Sequence, residues 1–501
     1  MKKVAAFVYN NCKNDARVLK EASTLVDAGY DVRIYAILDK DTEPFEIRNG
    51  IRIIRVEKNP VHYRILRSVR YFFAGIRRGI RKTFFLLIRL FIIYPFRAIS
   101  FVLRGFNSSE KSETSAEKKG IVNRVRGIGV VRFFRYYFRN RKVQLALFGW
   151  LFILLYYLLR FLQTTLSVIL NKVATIIIET LKAMLMLFHR PLCFIDFYNQ
   201  TKRLIIQEPA DFYHGHDLHG FPAALLGRKY TGGNAIYDSH ELYTEMSGLS
   251  KSERFFYRLV EKRIIAKADK VITVNKSIAE ELAARYNVPE PTIILNCPPK
   301  PDFKENSKQD LLQEKVGYPT GSKVILYQGG YSPSRGLPNL ILSMKHIEGA
   351  IMVFMGWGKI EEELRKLVAM ENLSDKIYFT GPAKQEELLY YTKGADIGVI
   401  PYQFIGLNNY YCSPNKLFEY INANVAIVAS DFPELKRVIE GYNIGKTFNP
   451  ESSESIAKAI NFILNGDISL DNMKRNTIKA AVEFNWENEA KKLLSLYNQL
   501  Q

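Results

Sequence analysis

The sequence predicts an α/β protein with two doubly wound, largely parallel sheets facing a cleft, the first interrupted by a basic, amphipathic helical insert. Three observations carry that prediction. Short apolar strands alternate with helices in two separate series, the pattern of parallel sheets covered on both faces. A stiff, proline-rich polar stretch beginning Pro298-Pro-Lys-Pro301 divides the two series. One segment holds the whole formal charge of the chain and breaks into the first series. At 501 residues the chain exceeds one compact core and suits two domains plus an extra segment.

The first series is read as the strand Lys3–Tyr9, the helix Asp15–Ala28, and the strands Asp31–Leu38 and Ile51–Val56. The basic start turns at once into a short strand ending at Asn10 and Asn11, so no signal peptide is expected. The series resumes with the strand Ala210–His214, the helix Gly220–Tyr230, and the strands Ala235–Asp238 and Lys270–Val274. The second series supplies strands at Lys323–Tyr327, Ala350–Met355, Lys376–Thr380, Ile397–Ile400 and Val425–Ala429. Residues 1–60 and 206–297 are thus two parts of an N-terminal domain, 61–205 the insert, 298–308 a linker, 309–480 a C-terminal domain, and 481–501 a terminal segment. In open α/β sheets ligands sit beyond the carboxyl ends of the strands, so the expected site is the cleft between the halves.

Between Val61 and Ile205 there are 26 Lys and Arg against 5 acids, a net +21, and the rest of the chain nets zero. The same segment carries the apolar runs Thr83–Phe96 and Val143–Leu159 and the interleaved Arg132-Phe-Phe-Arg-Tyr-Tyr-Phe-Arg139. Nucleic-acid binding explains the charge and the aromatics but not the aliphatic runs, and no nucleic-acid partner is expected. A transmembrane hairpin would put the loop from Lys111 to Lys142, with ten basic residues, outside the cytoplasm, against the positive-inside tendency. Its apolar runs are also short or interrupted by Arg89 and Arg160, whereas a span needs about 20 residues. Helices lying in the interface of an anionic membrane fit best, with a hairpin and purely internal packing as the alternatives. Four scattered cysteines, Cys12, Cys193, Cys297 and Cys412, argue for a reducing compartment and against a disulfide framework or a zinc site.

The most informative stretch is Tyr410-Tyr-Cys-Ser-Pro-Asn-Lys-Leu-Phe-Glu-Tyr420. Pro414 suits a helix start, and Leu417, Phe418 and Ile421 supply a buried face, so a helix begins at about Ser413 to Asn415. Its free N–H groups can hold a pyrophosphate, and Glu419, one turn in, can accept hydrogen bonds from two ribose hydroxyls. The alternative is an ordinary amphipathic helix with Glu419 facing water.

Taken together these residues resemble the retaining glycosyltransferases of family 4, whose GT-B fold sets two Rossmann-like domains face to face. The resemblance covers about residues 1–60 and 206–501. It implies that Ser413, Pro414, Asn415, Lys416 and Glu419 bind a nucleotide-sugar donor, the acid on its ribose. Family members often carry a second Glu eight residues earlier, where Tyr411 stands here. Tyr327-Gln-Gly-Gly-Tyr-Ser-Pro-Ser-Arg-Gly336 resembles the family's loop that offers an Arg and a Lys to the phosphates. Gly329 and Gly330 fall in that loop, Gly330 at the usual Arg and Arg335 at the usual Lys. Arg335 is suited to the leaving diphosphate because a guanidinium forks onto phosphate oxygens. Gly356-Trp-Gly358 resembles the Gly-x-Gly turn that admits a ligand, and Thr380-Gly381-Pro382 the loop beside the base. Phe484-Asn-Trp-Glu487, with Leu493, Leu494 and Tyr497, looks like the last helix, which crosses back to the first domain.

In the N-terminal half, His214-Gly-His216-Asp217 resembles the family's His-x-His-acid turn, and the resemblance assigns His216 to the donor sugar. Asp238-Ser-His240-Glu241 looks like a cleft-facing motif of some members, for donor or acceptor; capping of the next helix by Asp238 or Ser239 is the alternative. Asp15 and Arg17 match a branch with Asp-x-Arg in the first loop, where they face acceptor or donor. Asp39-Lys-Asp41 is read as a surface loop, and no metal or other cofactor is expected. The implied activity is a metal-independent, retaining sugar transfer in which His216, Arg335 and Lys416 act on the donor. The donor would be a nucleotide sugar with UDP or GDP as the expected base. The insert would hold the protein at the cytoplasmic face of the membrane, beside a lipid-linked or glycan acceptor. A silent scaffold and a sugar-nucleotide epimerase are the competing readings; the oligomeric state is open.

Overall fold

The computed structural model describes residues 1–98, 141–303, 311–465 and 470–500. The chain forms two compact units, one of Met1–Lys58 with Phe197–Gln501 and the other of Asn59–Asp196. The first holds both sheets. Its N-terminal sheet comprises β1 (Lys3–Phe7), β2 (Asp31–Ile37), β3 (Phe45–Arg48), β4 (Ile51–Val56), β5 (Phe212–His216), β6 (Asn234–Ser239), β7 (Lys270–Thr273) and β8 (Thr292–Ile293). Their order is β3-β4-β2-β1-β5-β6-β7-β8. All neighbours are parallel except β3 and β4, a hairpin turned at Asn49-Gly50 that the sequence reading missed. Helices cover both faces, and apolar residues of β1, β2, β5 and β6 divide into two cores, one on each side.

The second sheet contains β9 (Lys323–Gln328), β10 (Ala350–Met355), β11 (Ile377–Phe379), β12 (Ile397–Ile400), β13 (Ala426–Ser430) and β14 (Gly445–Phe448), all parallel, in the order β11-β10-β9-β12-β13-β14. The order reverses between β9 and β12, the topological switch point where α/β sheets bind ligands. The helix Trp486–Gln499 returns to the N-terminal half: Leu493, Leu496 and Tyr497 are buried in its core, and Trp486 Nε1 donates to Thr24 Oγ1 at 2.9 Å.

In the second unit the helix Val61–Ile88 runs on through a π-helical turn at Arg89–Ile93. The helix Arg141–Met186 is 46 residues long. Its part Ala146–Met186 is apolar and long enough to cross a membrane by length and composition, and none of its most apolar window is buried. The expected interruption at Arg160 is therefore only a break in hydropathy, since a helix runs straight through an arginine. At 1.5 Å per residue those 41 residues reach roughly 60 Å, about twice a hydrocarbon core. The Arg132–Arg139 run and most of the basic loop from Lys111 to Lys142 lie outside the described residues. The insert was expected to end at 205, but Phe197 and Ile205, on the helix His189–Gln207, are buried in the core of the first unit.

Candidate active site

Beyond the carboxyl ends of the strands, residues of both halves of the first unit line a cleft of ≈ 640 Å³. Its C-terminal wall is built around the helix Asn415–Asn422, whose Leu417, Phe418 and Ile421 are buried and fix its orientation. Pro414 (φ −68°, ψ 146°) is the extended residue just before the helix. Ser413, Asn415, Lys416 and Glu419 all line the cleft. Lys416 Nζ lies 4.0 Å from the Tyr327 ring and 5.3 Å from that of Tyr402, whose ring centre is also 3.9 Å from the Arg335 guanidinium carbon. Neither cation forms an ion pair among the described residues. Burial, with Arg335 adding to it, holds the Lys416 ammonium well below the usual lysine range. Two adjacent cations and a helix N-terminus make a strong anion site.

Glu419 accepts from Gln328 Nε2 at 2.5 Å, and Gln328 Oε1 accepts from Thr392 Oγ1 at 2.8 Å. Burial raises the Glu419 carboxyl. Gln328 was not singled out from sequence, although it stands directly before Gly329-Gly330 at the end of β9. The glycines act differently from the expectation that they admit a ligand. A Cβ on Gly356 would meet Gly329 O at 2.0 Å and one on Gly358 would meet Tyr331 O at 2.1 Å, so their missing side chains let two backbone loops pack together. Gly329, Gly330 and Gly356 line the cleft; Gly358 and Gly381 do not, and Pro382 and Ala383 stand there beside Gly381. Trp357, which is exposed, is a further lining residue the sequence reading passed over.

The N-terminal wall departs most from expectation. β5 runs to His216, so His214 and His216 are strand residues on one face, stacked at 4.4 Å, rather than members of a turn. His216 is buried and does not line the cleft; its imidazole is pushed down to about 3 by burial and by His214, and stays neutral. His240 and Glu241 line the cleft instead. His240 Nε2 is 3.1 Å from His216 Nδ1 and 3.2 Å from Asp238 Oδ2, and its Nδ1 is 3.4 Å from Asp217 Oδ2. Burial opposes its charge, but Asp217 and Asp238 outweigh that and raise it to about 10.

Arg17 and Asp238, expected to face acceptor or donor, are both buried and bound to each other, with Arg17 also 3.0 Å from Glu21. Asp15 caps the helix Ala16–Asp27 through Val18 N. Glu21, His214, His216 and Asp238 place ligand atoms within 4.8 Å of one another, yet Arg17 already binds both carboxylates. His62, His189 and Cys193 form a second such group in the other unit. There Cys193 Sγ is 3.8 and 3.7 Å from the two His189 nitrogens, beside the ring rather than on either lone pair. Asp39 lies in an exposed loop, bonded to Asn11 and Thr42.

Several bonds join the two walls. Asn408 accepts from Leu242 N at 2.9 Å and donates to Glu241 Oε2 at 2.8 Å. Asn275 donates to Tyr411 O at 2.7 Å and to Ser413 Oγ at 2.9 Å, and Ser277 N donates to Glu434 at 2.6 Å. Tyr411 packs against the N-terminal core and not into the cleft.

A family model described as glycosyl transferases group 1 matches residues 308–480, and one described as glycosyltransferase family 4 matches residues 170–298. The chain is 26% identical over 241 residues to an uncharacterized glycosyltransferase of Methanocaldococcus jannaschii, covering 45% of this chain and 59% of that one. It is 24% identical over 277 residues to a putative teichuronic acid biosynthesis glycosyltransferase, TuaH, of Bacillus subtilis, covering 51% and 65%. Both matches thus span less than two thirds of the relative. Among solved structures, Anabaena HepE in complex with UDP-glucose superposes over 100% of both chains with a TM-score of 0.60 at 9% identity, a likeness of fold.

Proposed function

Because the chain belongs to the family 4 type of glycosyltransferases, we propose that it moves a hexosyl group from a nucleoside-diphosphate sugar to an acceptor hydroxyl, with retention and without a catalytic metal. One observation carries the reading: Arg335 and Lys416 share the Tyr402 ring in the same cleft that holds the Gln328-braced Glu419. The two cations and the helix start at Asn415 take the diphosphate, and Glu419 takes the ribose hydroxyls. The acceptor oxygen bonds to the anomeric carbon as the bond to the phosphate oxygen breaks on the same face, and the leaving phosphate accepts the acceptor proton. Charge developing on that phosphate is met by Arg335 and Lys416, which are already in place. His240 and Glu241 face the sugar or acceptor, and His216 acts through His240 as a positioning residue. UDP or GDP is the expected base.

The helices of the insert dock on the cytoplasmic face of an anionic membrane, with the acceptor a lipid-linked sugar or a glycan in polysaccharide or glycolipid synthesis. Support comes from the unburied apolar helix and from the name of the Bacillus relative. A second reading, a silent membrane-bound scaffold, draws on Tyr411, whose side chain leaves the cleft without the usual acid. The test is nucleotide release from UDP-, GDP- and ADP-sugars by purified protein with membrane lipid extract, beside Glu419→Ala. Selective, lipid-dependent release lost in the variant supports the transferase. No release and no nucleotide binding under any condition sinks it in favour of the scaffold.

A further inference from the structure

The helix Lys251–Ile265 belongs to the first unit and plays no part in the chemistry above. Its sequence is amphipathic in an unusual sense. The inner face holds Tyr257, Glu261 and Ile265, all buried. The outer face holds two adjacent phenylalanines, Phe255 at 66% and Phe256 at 54% exposure, with Leu259 below Phe255 at the i, i+4 spacing that stacks side chains on one stripe. Around them stand Lys251, Lys262 and Arg263, all exposed and without an ion pair among the described residues.

Both acids of the helix are used elsewhere. Glu253 closes the capping box with Ser250, accepting from its N at 3.0 Å and from its Oγ at 2.7 Å. Glu261 is buried and accepts from Tyr237 and Tyr286 at 2.6 and 2.7 Å. Those bonds fix the helix to the sheet, so the outer face is a preformed surface of aromatic rings and cations. The helix also adjoins the cleft: Met246 and Ser247 line it, and Ser250 caps the helix.

We infer that this face, Phe255, Phe256 and Leu259 ringed by Lys251, Lys262 and Arg263, is a membrane-contact surface of the first unit, selective for anionic lipid. It deepens the membrane reading above but is carried by separate residues in a separate unit. Charge complementarity selects the occupant. Rings at the acyl boundary with cations at the phosphates are what an interfacial helix presents. A second copy would bring the same cations against themselves in an isologous contact. Residues 99–140 of this chain are also net basic in sequence, so charge complementarity does not select them as the occupant.

The test uses the full-length chain with Trp150→Phe and Trp357→Phe, which leaves buried Trp486 as background, and with Phe256→Trp as the reporter. Vesicles of phosphatidylglycerol or phosphatidylcholine carry brominated acyl chains. The expected result with phosphatidylglycerol is a blue shift and about twofold quenching of the added emission. Both effects should be absent with phosphatidylcholine and lost in Lys262→Glu/Arg263→Glu. Sedimentation of the protein with phosphatidylglycerol vesicles while the reporter stays unshifted and unquenched would overturn the inference, as would no sedimentation. A reporter already shifted without lipid, in a chain that ultracentrifugation finds dimeric, would assign the face to a second copy instead. Nucleotide binding by the parent chain, which keeps Trp357 in the cleft, reports on the cleft alone, so failure of the surface and failure of the proposed function are distinguishable.

Discussion

Arg17 grips Asp238 through two nitrogens, Nε to Oδ2 at 3.1 Å and Nη2 to Oδ1 at 2.9 Å, and thereby ties the first helix to the end of β6. The third nitrogen donates to Ile294 O at 2.8 Å. Asp238 in turn faces His216 and His240, so one buried guanidinium sets the geometry of the cleft's N-terminal wall. Replacing Arg17 by Leu leaves Asp238 and Glu21 buried without their countercharge, and stability should fall by about 3–5 kcal/mol in urea unfolding. Arg17→Lys should recover little, because an ammonium cannot fork onto Asp238 while reaching Ile294.

His240 makes stability depend on pH. Its folded pKa of about 10 lies above the ordinary 6.5, so its contribution is fully present below about 6.5 and is lost as pH rises through 10. Unfolding free energy should therefore decline between pH 7 and pH 10, and the decline should be shallower in His240→Gln. Histidine titration by NMR gives the independent check: one imidazole stays protonated at pH 8, and another, His216, stays neutral down to about pH 3.

Local signals made the C-terminal wall legible in the sequence. Pro414, the apolar triplet Leu417, Phe418 and Ile421, and Glu419 lie within one turn or two of each other, so spacing alone places them on a helix. The N-terminal wall depends on strand register and long-range pairing. Once β5 extends to His216, that residue shares a buried face with His214, and only β6 alongside decides that His240 reaches the cleft. Arg17 reads as a loop cation until Asp238, 221 residues away, is brought against it. Tyr411 leaves the cleft because the other half of the unit offers an apolar core, a fact carried by no residue near it in sequence.

The glycine loops separate into two kinds. Gly356 has φ +159° and a Cβ there would meet Gly329 O at 2.0 Å, whereas a Cβ on Gly330 meets nothing closer than Trp357 O at 3.9 Å. Gly356→Ala should force the two loops apart, lower stability by about 1–3 kcal/mol and weaken nucleotide binding. Gly330→Ala should leave the melting temperature within error. Gly330→Arg then adds a third cation to the phosphate side of the cleft and should tighten binding of a nucleoside diphosphate, read by calorimetry.

Lys416 sets function against stability. Its ammonium is almost fully buried, touches two aromatic rings, sits near a second cation and has no carboxylate in ion-pair contact among the described residues. An isolated buried charge is unfavourable, and a neutral side chain of similar volume fills the same space. Lys416→Met should therefore hold or raise the melting temperature of the ligand-free protein. The same change removes a charge-assisted contact to the diphosphate, worth about 1.5–3 kcal/mol, and should weaken nucleoside diphosphate binding by about 10-fold or more. Bound diphosphate should also raise the melting temperature of the parent more than that of the variant, because the stability that a ligand adds grows with the logarithm of its concentration over Kd. A variant that melts earlier and binds unchanged would remove Lys416 from the phosphate site and make it a structural residue of the Tyr327–Tyr402 aromatic wall.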